Sequence, residues 1–274
     1  MKKRAIFVYL ILASMLALSF VSFVRADATE PTGPTSITRQ DNQRMNTSYW
    51  GSKTIQAMAG NLTELKITAT TQTQTWQGYY GNITGTITLD DASNFTMYSW
   101  EELEPQGEIY ASNATTVNWT GIKCFNYSSN ISDGFENGND LYNLTDLENM
   151  YGLLNDDNDG VDETFNMTGN ISSESLSQQH KRLWVGTVFI GQGKCPATHM
   201  YQNDSNLGFD FQEILLSDKK AIVFTTLIEN DINGSIDDIS GFNNKTYDFQ
   251  MLVGENGHDG DLAITNYYFF VELE

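Results

Sequence analysis

Between residues 65 and 112 apolar and polar side chains alternate with a period of two, in LKITAT (65–70), ITGTITL (83–89), FTMYSW (95–100) and GEIYAS (107–112). Each run is bounded by Gly, Asn or Asp, so the pattern predicts strands with one face on a core and one toward water, separated by turns. Further along, the runs LWVGTVFI (183–190), FQEILLS (211–217), AIVFTTLI (221–228), TYDFQMLV (246–253) and ITNYYFFVEL (264–273) are more continuously apolar. Strands buried on both faces read this way, and these runs are expected in the core.

One stretch changes period. Leu141, Leu144, Leu147, Tyr151 and Leu154 recur every three or four residues, with Asp140 as a candidate N-cap and Gly152 near the end, which predicts one short helix near 140–154. With only four prolines and frequent turn signals, the remainder predicts an all-β fold, mainly an antiparallel β-sandwich, over 49–274. Two subdomains meeting near 138–165 are the alternative. The echo between DFQEIL (210–215) and DFQMLV (248–253) marks candidate equivalent strands in two sheets, on three identical residues only.

Residues 1–26 combine a basic start, an apolar run from Ile6 to Val24 and a small residue at Ala26. They predict a secretory signal peptide cut near Ala26. The apolar run is also long enough to span a bilayer uncut, and cleavage after Ala5 would leave it as a pilin-like filament helix. All three readings put the folded part outside the cytoplasm, with membrane contact only through an uncleaved N-terminal helix. Residues 27–48, with Pro31, Gly33 and Pro34 among Ser, Thr and Asn, read as an extended polar arm.

Lys and Arg number 15 against 35 Asp and Glu, for a formal charge of −20. Removing residues 1–26 takes away Lys2, Lys3, Arg4 and Arg25 and no acid, which moves the charge to −24. Nucleic acid is excluded as a partner, since phosphate backbones are held by clustered basic residues. A hydrophobic content of 40% excludes a disordered chain. Such acidity suits solubility outside the cell and the binding of divalent cations. Cys124 and Cys195 are the only cysteines; in an exported chain they predict one disulfide, worth about 4 kcal/mol through the unfolded state.

The N-x-S/T pattern occurs at Asn46, Asn61, Asn82, Asn94, Asn113, Asn118, Asn126, Asn130, Asn143, Asn166, Asn170, Asn203, Asn233 and Asn244, 14 of the 25 asparagines. With 20 Ser and 28 Thr in 274 residues, chance gives about 4. The excess predicts N-linked glycans, which need solvent-accessible asparagines; the competing explanation is that Asn and Thr are common in turns and edge strands. Stretches 204–232 and 247–274 carry no sequon and are expected to form core or a subunit contact.

Asn155, Asp157, Asp159 and Glu163 fall at positions 1, 3, 5 and 9 of a calcium-loop template, with Gly160 at position 6. Hard cations need several oxygens on a tightly turned backbone, so these four are the candidate Ca²⁺ ligands; position 12, however, is Asn166, itself a sequon asparagine. His180, His199 and His258 are too dispersed for a zinc signature and are expected on the surface or in loops. The tract 254–261 is rich in Gly, Asn and Asp, as long hairpin turns are. No G-x-S-x-G, H-E-x-x-H, Walker or G-x-G-x-x-G pattern occurs, and no catalytic residue is assigned. Trp50, Trp76, Tyr79, Tyr80, Trp100 and Trp119 offer flat faces for sugar stacking, if they are exposed on one sheet, or for packing a core.

The pieces TWQGYYGNITGTITLDDASNFTMYSW (75–100), PQGEIYAS (105–112), DFQEILLSD (210–218), TYDFQMLVGENGHDGD (246–261) and YYFFVEL (267–273) resemble a group of uncharacterised secreted β-rich proteins from archaea. The resemblance implies an archaeal cell-surface protein and carries over no catalytic residue. The resulting expectation is a non-enzymatic, extracellular glycoprotein that self-associates as a subunit of a surface layer, sheath or filament, with residues 27–48 as a candidate strand donor. The alternative is a carbohydrate- or ligand-binding module.

Overall fold

A computed structural model describes residues 30–40, 52–101, 105–127, 143–154, 156–167, 179–203, 210–229, 239–256 and 264–273. In chain order the elements are β1 (Trp76–Gly81), β2 (Thr86–Asp90), β3 (Thr96–Glu101), β4 (Gly107–Ser112), a 3₁₀ turn (Trp119–Gly121), β5 (Lys123–Cys124), α1 (Leu144–Met150) and α2 (Val161–Thr164). There follow β6 (Leu183–Val185), β7 (Val188–Ile190), β8 (Ala197–His199), β9 (Gln212–Ser217), β10 (Ile222–Leu227), β11 (Phe249–Gly254) and β12 (Tyr268–Leu273). The fold is all-β and antiparallel, as the alternation predicts. Among the described residues no helix is long and apolar enough to cross a membrane.

The sheet at the centre has the order β12-β4-β10-β9-β5, with β8 also pairing β9. Every residue of β9 and β10 is buried. On one face Ile109, Ala111, Leu215, Ile222 and Phe224 pack against Met251 and Val253 of β11 and against Leu147, Tyr151, Leu153, Val161 and Phe165 of the helical segment. On the other, Tyr110, Ile214, Leu216 and Val223 pack against Trp119, Ile122, Leu183, Val185, Ile190 and Ala197. The sequon-free stretch 204–232 thus supplies the two central strands. The echoing DFQ segments feed β9 and β11, which belong to different sheets.

Three local features differ from the sequence pattern. The run 183–190 folds back on itself at Gly186, where φ is +55°, giving the β6–β7 hairpin with Leu183 opposite Ile190; a side chain is disfavoured at that φ, and Glu272 receives the Gly186 N–H at 2.9 Å. LKITAT (65–70) is exposed and outside any strand. Trp76–Gly81, not marked by alternation, pairs along its length with β11. The predicted helix forms at Leu144–Met150 with Asn143, whose side chain accepts from the Asp146 N–H at 2.9 Å, as its N-cap; Asp140 lies outside the described residues.

The β9 edge of the central sheet is covered, and the β12 edge is paired at one residue. On one side Thr32 of the N-terminal arm exchanges two backbone hydrogen bonds with Val271 of β12, at 3.1 and 2.8 Å. On the other, β5 pairs with Leu216 and Ser217 while β8 pairs with Gln212–Ile214, so two short strands share the edge of β9. The Cys124–Cys195 disulfide joins the segments that carry them. His180, expected in a surface loop, is instead wholly buried. One ring nitrogen is bonded to the Lys181 carbonyl at 2.6 Å, while Nε2 accepts the N–H groups of Lys194 and Cys195 at 2.9 and 3.0 Å. The neutral imidazole therefore holds the backbone that presents Cys195.

Burial lowers the His180 pKa below its ordinary 6.5, with the Lys181 carbonyl opposing. Below that pH the unfolded chain binds the proton first, so stability falls as pH drops through 6.5 toward the lowered value. His180→Phe orphans two buried N–H groups and is expected to lose about 3 kcal/mol. Its melting temperature should also depend less steeply on pH between pH 7.5 and pH 5 than that of the wild type; parallel curves would refute the assignment.

Candidate functional site

Helices α1 and α2 bring three carboxylates together. Glu148, Asp162 and Glu163 each place an oxygen within 4.8 Å of the others. Glu148 is only 1% exposed, and no hydrogen bond closes on either of its oxygens or on Oδ1 of Asp162. Burial, followed by the charges of Asp162 and Glu163, raises the Glu148 pKa against the opposing influence of the Val161 N–H. Glu163 is exposed, Asp162 half-buried and Glu148 buried, so the group runs from solvent into the fold.

Gly160 leaves space for two of these carboxylates, Glu148 and Glu163. A Cβ there would lie 2.3 Å from Glu163 Oε2 and 3.1 Å from both Glu148 Oε1 and the Asp157 carbonyl oxygen. Of the predicted cation ligands that are described, only Glu163 brings its side chain into the cluster. The Asp157 carboxylate turns back to accept the Leu154 N–H at 2.8 Å. Asp159 accepts from the Thr73 hydroxyl through its side chain, and from Trp76 Nε1 at 2.7 Å through its carbonyl. Asn155 lies outside the described residues. Glu148 and Asp162 escaped the loop template because one sits on the preceding helix and the other at a position the template leaves empty. Beside the cluster, the Tyr127 hydroxyl donates to the Phe165 carbonyl at 2.8 Å.

A second feature is a groove of about 1180 Å³ whose lining includes Tyr79 and Tyr80 of β1, Tyr201, Leu252 of β11 and Ile264. The aromatic candidates divide. Trp119 is buried between Tyr110 and Phe270, and Trp76 packs on Tyr151, Phe165 and Phe224, so both serve the core. Tyr79 and Tyr80 are exposed neighbours on one strand and point to opposite sides, Tyr79 onto Phe269 and Tyr80 onto Phe242 and Tyr247. Trp100 is on the separate β2–β3 hairpin, and Trp50 is outside the described residues. His199 is half-buried at the groove, and burial lowers its pKa; His258 lies outside the described residues.

Ten sequon asparagines are described: Asn61, Asn82, Asn94, Asn118, Asn166, Asn203 and Asn244 are exposed, and Asn113, Asn126 and Asn143 half-buried. Asn46, Asn130, Asn170 and Asn233 lie outside. Asn94, Asn203 and Asn244 have positive φ (64°, 52° and 60°), a conformation Asn tolerates in turns, so these three also have a backbone role. Asn118 and Asn143 cap helical turns through Oδ1, which leaves the amide nitrogen, the atom that carries a glycan.

The β2–β3 hairpin forms a two-stranded sheet of its own. Ile87 pairs with Trp100 and Leu89 with Tyr98, so four apolar residues share one face, while Thr86, Thr88 and Ser99 mark the other. All four are 42–58% exposed. Leu62, Leu65 and Ile67 in the preceding extended segment are exposed as well. No protein family, curated protein or solved structure matches the chain.

Beneath the groove, Glu213 of β9 is fully buried and accepts the Leu252 N–H at 2.8 Å, which couples the central sheet to β11. Burial raises its pKa well above 4.5, opposed by that N–H. The folded state then retains a proton that the unfolded chain releases, so stability falls as pH rises above 4.5 toward the raised pKa. Glu213→Gln removes this titration. Urea unfolding at several pH values from 4.5 to 7.5 should show the variant gaining on the wild type as pH rises; a constant gap would overturn the reading.

Proposed function

We propose that this is an exported, N-glycosylated structural protein of an archaeal cell surface that assembles with copies of itself. The observation that carries the reading is the β2–β3 hairpin with its apolar face uncovered. Isolated two-stranded hairpins are marginal in water, and three or more strands with a covered apolar face are needed for independent stability. In the segment that precedes β1, LKITAT has the alternation of a strand without a strand partner in its own sheetwork. A second copy supplies what both lack: an added strand for the hairpin edge and an apolar layer for its face.

The remaining support is the export pattern of residues 1–26, the disulfide, and the absence of any buried asparagine among the ten described sequons. The high negative charge makes indiscriminate association unfavourable and leaves assembly to specific contacts. The arm's pairing at Thr32 demonstrates that a sheet edge of this chain accepts an extended segment, though here within one chain. A second reading, a binding module for carbohydrate, is favoured by the groove with exposed Tyr79, Tyr80 and Tyr201 at its walls.

Negative-stain microscopy and light scattering of the glycosylated chain test the proposal. Wild type should form ordered polymers, and Leu89→Glu with Trp100→Glu should remain monomeric with a melting temperature within about 2 °C of wild type, as for exposed substitutions. A monodisperse wild type that instead binds a glycan array, with the binding lost in Tyr80→Ala, would replace the structural reading by the binding module.

A further inference from the structure

The structure assigns a calcium site to Glu148, Asp162 and Glu163, with the Asp157 carbonyl oxygen as a fourth ligand beside Gly160. The strongest reason is Glu148. It is 1% exposed, carries two oxygens on which no hydrogen bond closes, and faces two further carboxylates within 4.8 Å. Buried charges in proteins are paired or coordinate metals, and one left unpaired is strongly unfavourable. Neutralisation comes from a proton or from a cation, and the surroundings favour the cation. A shared proton answers at most one pair of carboxylates, whereas three acids cluster here, with Glu148 Oε1, Glu163 Oε2 and the Asp157 carbonyl oxygen around the space opened by a missing side chain.

The chemistry of the ligands selects the ion. All are hard oxygens, with no sulfur or imidazole nitrogen in the cluster, which disfavours zinc and copper. The carboxylates come from two short helices and the carbonyl from the loop between them, so their geometry is adjustable. That suits calcium, which takes six to eight oxygens in irregular arrangements including bidentate carboxylates, and not magnesium, which demands a near-ideal octahedron. Solvent enters on the Glu163 side and would complete the shell with water. Extracellular calcium modules bind with Kd of about 10⁻⁴ to 10⁻³ M, and affinity in that range is expected here.

Gly160 carries the geometry. Its φ of −61° is ordinary for any residue, so the glycine is there for space and not for backbone freedom. An alanine would press on the Glu163 carboxylate, the flexible end of a side chain, and move it out of the cluster while the helices stay in place. The site also sits where binding has a structural effect. It joins α1 to α2 across a loop whose Asp159 is bonded to Thr73 and Trp76 at the start of β1.

The test uses the full disulfide-bonded chain, with melting temperatures in chelator, calcium and magnesium, and with terbium luminescence sensitised by Tyr127 and Trp76. In wild type, calcium at about ten times Kd should raise the melting temperature by about 3 °C, magnesium should do less, and terbium emission should be competed away by calcium. Glu148→Gln should melt higher than wild type in chelator and no longer respond to calcium. Gly160→Ala should keep its fold and bind terbium at least about tenfold more weakly, the equivalent of losing one good ligand. Equal calcium shifts in wild type and Glu148→Gln would overturn the assignment, as would absence of sensitised emission from wild type. Repeated in the Leu89→Glu with Trp100→Glu background, which stays monomeric, these readings stand or fall independently of self-assembly.

Discussion

Burial of β9 and β10 on both faces is the constraint from which the other layers follow. A sheet whose central strands have no solvent side needs a cover above and below, and it needs every polar group in those strands answered. The chain meets the first demand with the β1–β11 ribbon and the helical segment on one face, and with the β6–β7 hairpin and the 3₁₀ turn on the other. It meets the second only in part, since Glu213 Oε1 and Thr225 Oγ1 are buried with no hydrogen bond closed on them, while other groups are answered by specific bonds. Thr226 donates to the carbonyl of Gln250 at 2.7 Å, Asp218 accepts from the N–H groups of Lys220 and Ala221 at the β9–β10 turn, and Ser112 donates to the Ile222 carbonyl at 2.8 Å. Of these, the Thr226–Gln250 bond ties the β11 layer to the sheet, while the others lie within the sheet and its β9–β10 turn.

The edges pose a separate problem. An open strand edge templates pairing with another chain. The β9 edge is closed by two short strands whose segments the disulfide ties together, and the β12 edge is met by the arm at Thr32. The β2–β3 hairpin receives no such treatment, and its apolar face is left in solvent. The contrast is informative because the same chain shows that it can close an edge.

Side-chain periodicity made most of the fold legible. GEIYAS coincides with β4, and FQEILLS and AIVFTTLI overlap β9 and β10 to within a residue at each end, but alternation misjudged burial: β4 is buried on both faces and β2 is exposed along its length, because burial is set by what packs on each face. Trp76–Gly81 escaped since its two glycines and three aromatics obey no alternation; its pairing is set by β11, 168 or more positions away. LWVGTVFI looked like one strand because a two-residue turn at Gly186 interrupts hydrophobicity hardly at all. In the acidic region the loop template caught Glu163 and Gly160 but missed Glu148, since a ligand contributed by a neighbouring helix leaves no mark on loop spacing. His180 was missed for a related reason: its partners are backbone groups at Lys194 and Cys195, which have no sequence signature.

The acidic cluster and the β2–β3 hairpin are linked through hydrogen bonds and the chain that follows them. Asp159 links the loop between α1 and α2 to Thr73 and Trp76, and Trp76 opens β1. The chain enters β1 from the exposed segment that contains LKITAT and leaves it toward the β2–β3 hairpin. Anchoring Trp76 therefore fixes both the end of the unpaired segment and the base of the hairpin. Trp76 is also packed against Tyr151, Phe165 and Phe224, so its position depends on the helical segment being seated on the sheet. Order in the loop, whether supplied by a cation or by hydrogen bonds alone, passes to the surface through a buried aromatic contact and not through long-range electrostatics, which salt at physiological strength screens beyond about 8 Å.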